Sequence, residues 1–494
     1  MILKVNGNIK PYYVETLVML FFPGAKFPQD EQETDETVVI SLDMAEDGGK
    51  VTARVTIKQG EKISHGEAEY PLGEDGDKRR RIAAGDAFIK AGRDFTGITP
   101  PWGILTGVRP AKIAGEILRG GADADRAAET VSREYLVSPV KSRLAVDVAV
   151  AEAKLITDRI RRECSVYVGI PFCPTRCAYC SFVSYTSPKL IKLIPDYLTA
   201  LCADIDGVFS VVRSLGMRVS TVYIGGGTPT ILTSEQMKVL LSKIRENVGD
   251  LDEFTCEAGR PDTITAEKLR VAKEYGVDRI SVNPQTLNDE VLGKIGRAHS
   301  TEMFYRAFGT AREAGIENIN VDLIAGLPYD TTESFMRSVD GIIALSPENI
   351  TVHTFSVKRS SEFKVEGRFD PSSKIASESV DYSQKALSAA GYKPYYMYRQ
   401  KNTVGNHENV GYAKPGHEGL YNIYMMEEVH SIFAAGAGSV TKLVSLPDSD
   451  GNVRIERLFQ PKYPYEYLEG FGNGESAKKL DEMQKISAEF FAEK

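Results

Sequence analysis

Tryptophan occurs once in 494 residues, and cysteine and histidine occur six times each. Six cysteines, three of them crowded between positions 173 and 180, do not form the framework of a disulfide-stapled secreted domain. Long apolar runs are missing too: nothing reaches the roughly 20 residues that a membrane-spanning helix requires. The apolar run Val18–Phe22 is short, follows Glu15 closely and lacks a small-residue cleavage site, so no secretory leader is expected. An excess of basic charge is absent as well. The formal net charge of -8 argues against a general binder of phosphate backbones, while leaving room for a local basic patch that holds an acidic small molecule. There is no strict internal repeat and no low-complexity tract. What remains is the composition of an ordinary globular chain, long enough for two or three domains. The expected compartment is the cytoplasm, where thiolates stay reduced.

The chain divides by pattern. Residues 1–162 read as an α+β unit: Ile2–Val5, Thr37–Asp43 and Lys50–Lys58 alternate like strands, the last two joined by an Asp47-Gly48-Gly49 turn. Lys78-Arg79-Arg80-Arg81 opens a helical stretch to Gly92 and reads as a solvated helix start. Helical periodicity then runs from Ala111 to Arg161 with a break at Gly120-Gly121. From 163 to 390, strands alternate with helices, the signature of βα units and a parallel sheet. The strands are placed at Val166–Ile170, Thr221–Ile224, Glu253–Ala258, Arg279–Pro284, Asn318–Ile324 and Asn349–Ser356. The fold class expected is α/β, six βα units in an open or partial barrel. An extension, 391–494, follows as a region that covers the substrate; it holds a tyrosine-rich strand at Tyr395–Tyr398 and a polar helix from Glu475.

The stretch Tyr167-Val168-Gly169-Ile170-Pro171-Phe172-Cys173-Pro174-Thr175-Arg176-Cys177-Ala178-Tyr179-Cys180 organises the rest. Three thiolates at C-x3-C-x2-C spacing can converge on one soft metal centre, an iron–sulfur cluster or zinc. A closed site wants four protein ligands, and no fourth cysteine or histidine lies near. A cluster held by three cysteines leaves one iron open to a small molecule. Cys164, Cys202 and Cys256 have no ligand spacing and read as structural.

In parallel α/β folds the site lies at the carboxyl ends of the strands. There, period-two alternation puts Thr255 with Glu257, Ser281 with Asn283 and Gln285, and Asn320 with Asp322, each set opposed by apolar neighbours. Helices sheathe a barrel on the outside, so the polar set must look inward, toward ligands or bound water.

The C-x3-C-x2-C loop after a strand resembles the signature of radical S-adenosylmethionine (SAM) enzymes. Its flanks are similar to the oxygen-independent coproporphyrinogen III oxidases (dehydrogenases), above all their HemZ-type branch. So is the block Ile98–Pro110, which carries Trp102, itself read as a packing anchor. The resemblance implies the partial (β/α)6 barrel of that superfamily. It also implies a [4Fe-4S] cluster on Cys173, Cys177 and Cys180, with SAM on the open iron split into methionine and a 5′-deoxyadenosyl radical. Tyr167 and Glu257 match contacts to that SAM, and Gly226, Gly227 and Thr228 fall on the loop that holds its amino group. Without side chains, Gly226 and Gly227 let a ligand approach the backbone closely. Tyr179, Gln285, Arg297 and Asp322 match contacts to a second SAM, with Tyr179 standing where phenylalanine is common, and Ser356 aligns with a backbone contact.

The implied reaction turns two propionates of coproporphyrinogen III into vinyls. The implied partners are the porphyrinogen and an electron donor such as flavodoxin or ferredoxin, with no nucleic acid and no membrane span. Lys358, Arg359, Arg399 and Lys401 are candidate anchors for substrate carboxylates. The alternatives are a haem-binding chaperone of the same superfamily and a methyltransferase acting on a tetrapyrrole. The chaperones carry His-Asn-x-x-Tyr-Trp, whereas here His407-Glu408-Asn409 precedes Gly411-Tyr412-Ala413. The C-terminal helical domain of the oxidases has no counterpart in the pattern.

Overall fold

The hairpin expected around Gly48-Gly49 is present, and it shows how the amino-terminal unit is built. In the computed structural model Asp47 pairs with Lys50, leaving a two-residue loop in which both glycines have positive φ, +55° and +77°. That geometry matches the twist of the flanking strands and is open to glycine at no steric cost. The structure describes residues 1–28, 31–107, 109–157, 162–180, 184–356, 373–400, 403–448 and 453–492.

These fall into two compact units: Met1–Val150 with Met397–Glu408, and Ala151–Tyr396 with Asn409–Lys494. In the first, β1 (Ile2–Asn6), β2 (Val39–Asp47), β3 (Lys50–Gln59) and β4 (Lys62–Pro71) form a sheet in that order, β1 parallel to β2 and the rest antiparallel. The helix Gly76–Thr96 packs on it. Asp75 caps its first turn by accepting from Lys78 N at 3.0 Å, and Gly97 closes it in the left-handed region. Ile40, Leu42, Val51, Val55 and Ile57 of the sheet meet Ile82, Ala87, Phe88 and Phe95 in one core. β4 was not foreseen.

The second unit holds the parallel strands β5 (Glu163–Ile170), β6 (Arg218–Gly226), β7 (Glu253–Cys256), β8 (Arg279–Ser281), β9 (Asn318–Ala325) and β10 (Asn349–Thr354). They lie side by side in sequence order, each parallel to the next. This is the six-unit arrangement expected. Their outward residues, among them Val166, Val168, Val222, Ile224, Phe254, Cys256, Ile280, Ile319, Val321 and Leu323, are buried, as alternation requires for strands covered by helices. Those helices start on capping side chains: Thr233 with Gln236 as a full capping box, then Thr265, Ser300 and Thr331.

The sheet continues beyond the six strands on both sides. β11 (Lys393–Arg399) and β12 (Glu408–Ala413) lie beyond β10, and β12 runs antiparallel to it. β13 (Ser431–Ala435) lies parallel to β5, followed outward by β14 (Val440–Val444) and β15 (Ile455–Phe459). Among the described residues no helix is long and apolar enough to cross a membrane.

Candidate active site

The cysteine loop is pinned by its backbone. Cys173 N donates to Tyr185 O at 3.1 Å, Tyr185 N to Pro171 O at 2.9 Å, Ala178 N to Ile295 O at 3.0 Å and Cys180 N to Cys177 O at 3.0 Å. Phe172, fully buried, meets Tyr197 edge-on at 5.1 Å. The glycine loop after β6 is laid against the same strand end: Gly227 N donates to Ile170 O and Thr228 N to Phe172 O, both at 2.8 Å. A Cβ on Gly227 would lie 2.5 Å from Phe172 O, so glycine is required here by the chain's own backbone. The two loops close on each other, and glycine at 227 is what lets them.

Cys173 and Cys177 are buried and Cys180 is partly so. Cys173 Sγ lies 3.2 Å from the Thr228 hydroxyl. Burial pushes the Cys173 thiol up, Thr228 pulls it down, and the nearby Cys180 pushes it up again. Arg260 Nη1 faces Cys177 Sγ at 3.9 Å. Among the described residues no three His, Cys, Asp or Glu side chains are gathered as they would be around a single ion. Cys173 and Cys180 lie close enough for one thiol to raise the other, Thr228 and Arg260 are turned to the sulfurs of Cys173 and Cys177, and the chemistry of this donor set fits a thiolate-held cluster. Cys164 and Cys256 are buried away from the loop, and burial raises both thiols, Cys256 to about 12. They are inert packing residues.

Beside the loop stands a tier of aromatics. Tyr167 and Tyr223 are paired across β5 and β6, their rings stacked at 6.2 Å, and Tyr223 stacks on Tyr421 at 4.5 Å. Tyr421 belongs to the helix Leu420–Met426, whose first N–H groups, on Leu420 and Tyr421, donate to Glu253 at 2.7 and 3.2 Å. Neither Tyr223 nor Tyr421 was foreseen. The Glu257 carboxylate accepts from Tyr223 Oη at 2.6 Å and from the backbone N–H of Gly226. Burial raises its carboxyl to about 7; the Tyr223 hydrogen bond opposes this, and Asp322 adds to it.

The remaining candidates gather at the next strand ends. Gln285 is buried with φ +71°, donating N–H to Asp322 O at 3.1 Å and accepting from Ile324 N at 2.9 Å. A non-glycine residue in that region is strained and tends to mark a functional position. Arg297, buried, donates through Nη2 to Asn283 O at 2.7 Å and Gly259 O at 3.4 Å. Asp322 accepts from Asn320 Nδ2 at 2.8 Å and lies 3.7 Å from His353 Nε2. Burial would raise its carboxyl, but His353 and Asn320 hold it below the usual range. The Tyr179 hydroxyl is raised by burial and by Cys177 and Cys180, against the pull of Arg297, which puts Tyr179 among these groups. Ser356 is buried at the end of the sixth unit.

One expectation falls elsewhere. Arg399 donates to the carbonyls of Leu105 and Asn406 and lies over Trp102 at 5.9 Å, so its guanidinium is engaged inside the first unit and is no carboxylate anchor. Trp102, fully buried, donates Nε1–H to Glu408 at 2.7 Å, an anchor as expected but a polar one. Lys358, Arg359 and Lys401 lie outside the described residues.

With this geometry in view, comparison with known proteins is direct. The profile of the Radical SAM superfamily matches residues 167–341. The oxygen-independent coproporphyrinogen-III oxidase-like protein HemZ of Bacillus subtilis is 36% identical over 473 residues, 93% of this chain and 92% of that protein. This chain belongs to the HemZ family of radical SAM proteins. The haem chaperone HemW of B. subtilis is 34% identical over 281 residues, 55% of this chain and 70% of that one. HemW of Escherichia coli is 29% identical over 311 residues, 62% and 76% of the two chains. Among solved structures, the E. coli coproporphyrinogen III oxidase HemN, described as a radical SAM enzyme, is 25% identical with a TM-score of 0.46, covering 59% of this chain and 67% of its own. Membership in the superfamily implies a [4Fe-4S] cluster and SAM.

Proposed function

We propose that this HemZ-family protein carries out the oxygen-independent oxidative decarboxylation of coproporphyrinogen propionates to vinyls. In each event a propionate loses a hydrogen atom from its β-carbon, carbon dioxide and one electron. When bound, the cluster and SAM supply the radical that takes the hydrogen. The chain's share is binding, orientation and exclusion of water and oxygen.

Cys173, Cys177 and Cys180 would hold the cluster, and Tyr167, Gly226, Gly227, Thr228 and Glu257 the SAM beside it. Glu257 accepts hydrogen bonds in either protonation state and suits ribose hydroxyls. Tyr179, Gln285, Arg297 and Asp322 form a second polar set, matched to a second SAM. The observation that carries the reading is the inward polar face at the strand ends, continuous with a three-thiol loop. In this division of labour residues 163–390 hold the cofactors and 391–494 cover the substrate, with flavodoxin or ferredoxin as donor and the cytoplasm as compartment.

The test is anaerobic incubation of reduced, reconstituted protein with SAM and coproporphyrinogen III. Formation of 5′-deoxyadenosine with carbon dioxide supports the reading. SAM cleavage without decarboxylation rejects the substrate and keeps the class.

The chaperone reading draws on the likeness to HemW. Against it stand the altered His407-Glu408-Asn409 sequence and the engagement of all three residues. His407 is buried beside Glu408, Glu408 is held by Lys141 and Trp102, and Asn409 Oδ1 accepts from Thr354 N. A haem titration followed by absorbance decides between the two.

A further inference from the structure

Arg260 follows Glu257 in the loop after β7, and its side chain is 3% exposed. Its two edges face different ways. Nε and Nη2 donate to the two carboxylate oxygens of Asp262 at 3.0 and 2.9 Å, the forked pairing of a guanidinium with a carboxylate. Nη1 is turned to the cysteine loop, donating to Thr175 O at 3.1 Å and meeting Cys177 Sγ at 3.9 Å. Burial works against ionisation of Asp262, but Arg260 outweighs it and holds the carboxyl below its usual range.

The pair is therefore an oriented dipole, its positive end on the loop. The other groups nearby do not cancel it. Arg297 is a second cation, felt by Cys177 and Cys180. His299 is driven down to about 3 by burial and by Arg297, which leaves it neutral.

We propose that the Arg260–Asp262 pair sets the reduction potential of the three-cysteine centre, Arg260 raising it and Asp262 limiting how far. The inference rests on the cluster reading above. Reduction brings one electron and no proton to the centre, from a low-potential one-electron donor of the ferredoxin or flavodoxin class, or from dithionite through mediators in vitro. A donor N–H and a positive charge beside a ligand sulfur favour the more negative, reduced state, and a nearby carboxylate opposes it.

The experiment is a redox titration of the anaerobically reconstituted full-length protein, followed by electron paramagnetic resonance, with iron and sulfide counted beforehand. Arg260→Gln should lower the reduced-to-oxidised ratio at a fixed potential about tenfold, which for one electron is about 59 mV. Asp262→Asn should shift it the opposite way, upward. Arg260→Lys keeps the charge but loses the fork, and should fall between wild type and Arg260→Gln. A pair that only braces the loop would give shifts of one sign in all three variants, or none; either result overturns the proposal. If Arg260→Gln takes up no iron, the signs from Asp262→Asn and Arg260→Lys decide. A wild-type protein that binds no iron or sulfide fails at the loading step, and there the cluster reading fails first.

Discussion

Glu257 offers the sharpest test of the site, because its carboxyl is held at about 7 while its ordinary value is 4.5. In the unfolded chain the proton leaves near 4.5; in the folded chain it stays until about 7. Between those values the folded state binds more protons, so stability falls as pH rises, and the loss is complete above about 7. At about 1.4 kcal/mol per pH unit of separation, the full effect is about 3 kcal/mol. Glu257→Gln keeps an oxygen to accept from Tyr223 Oη, 2.6 Å away in the parent, and removes the titration. The variant should match the parent near pH 4.5 and then gain on it up to pH 7, reaching a plateau of up to about 3 kcal/mol. In calorimetric melts across pH 4.5–8 that is a rise of a few degrees in Tm. The same variant should bind SAM more weakly, measured by equilibrium dialysis. A difference in Tm that is flat with pH would refute the argument, since it would mean that Glu257 is already ionised at low pH.

Replacing Cys173, Cys177 or Cys180 singly with alanine should abolish iron uptake and SAM cleavage, whereas Cys164→Ser, Cys202→Ser and Cys256→Ser should keep both; iron and sulfide analysis distinguishes the two groups. Lys141 and Glu408, 2% and 1% exposed and 2.8 Å apart, form a buried ion pair. Lys141→Met alone should cost about 3–5 kcal/mol, and Lys141→Met with Glu408→Gln clearly less than the sum of the single changes, in denaturant melts. Trp102→Phe removes the 2.7 Å hydrogen bond to Glu408 and should cost about 1–3 kcal/mol on the same measure.

The six parallel strands were legible because each carries an apolar side facing helices and a polar side facing the site, and because capped helices separate them. β4 was not, since its inward residues are Ser64, Gly66 and Ala68; small residues packed under a helix leave no hydrophobic alternation to read. β13, Ser-Ile-Phe-Ala-Ala, is buried along its whole length. Its pairing with β5 joins segments more than 260 positions apart, which no local pattern encodes. The same holds for Tyr421, brought to the aromatic tier by Glu253, and for Lys141 and Glu408. Arg260 and Asp262 carried a weak signal, a charge pair directly after the strand that ends in Glu257, but two charged residues in a loop read as solvated surface. What sequence conveyed well was pattern tied to spacing, such as the alternation of the six strands. What it withheld was chemistry assembled across distance.

Glu257 and Glu408 show what separates a site from a scaffold here. Burial works against ionisation of both. For Glu408, Lys141, His407 and Trp102 more than offset it and hold the carboxyl at about 2; for Glu257, the Tyr223 hydroxyl, His353 and one backbone contact with Gly226 do not. The sign of the pH dependence therefore reverses between them. Glu408 contributes about 3 kcal/mol that is present above 4.5 and is lost as pH falls toward 2, whereas the cost of Glu257 appears as pH rises through 4.5 to 7. A scaffold residue has its partners built in. A carboxyl left short of partners at the end of a strand is destabilising by itself, and on the function proposed above the missing partners are the ribose hydroxyls of SAM.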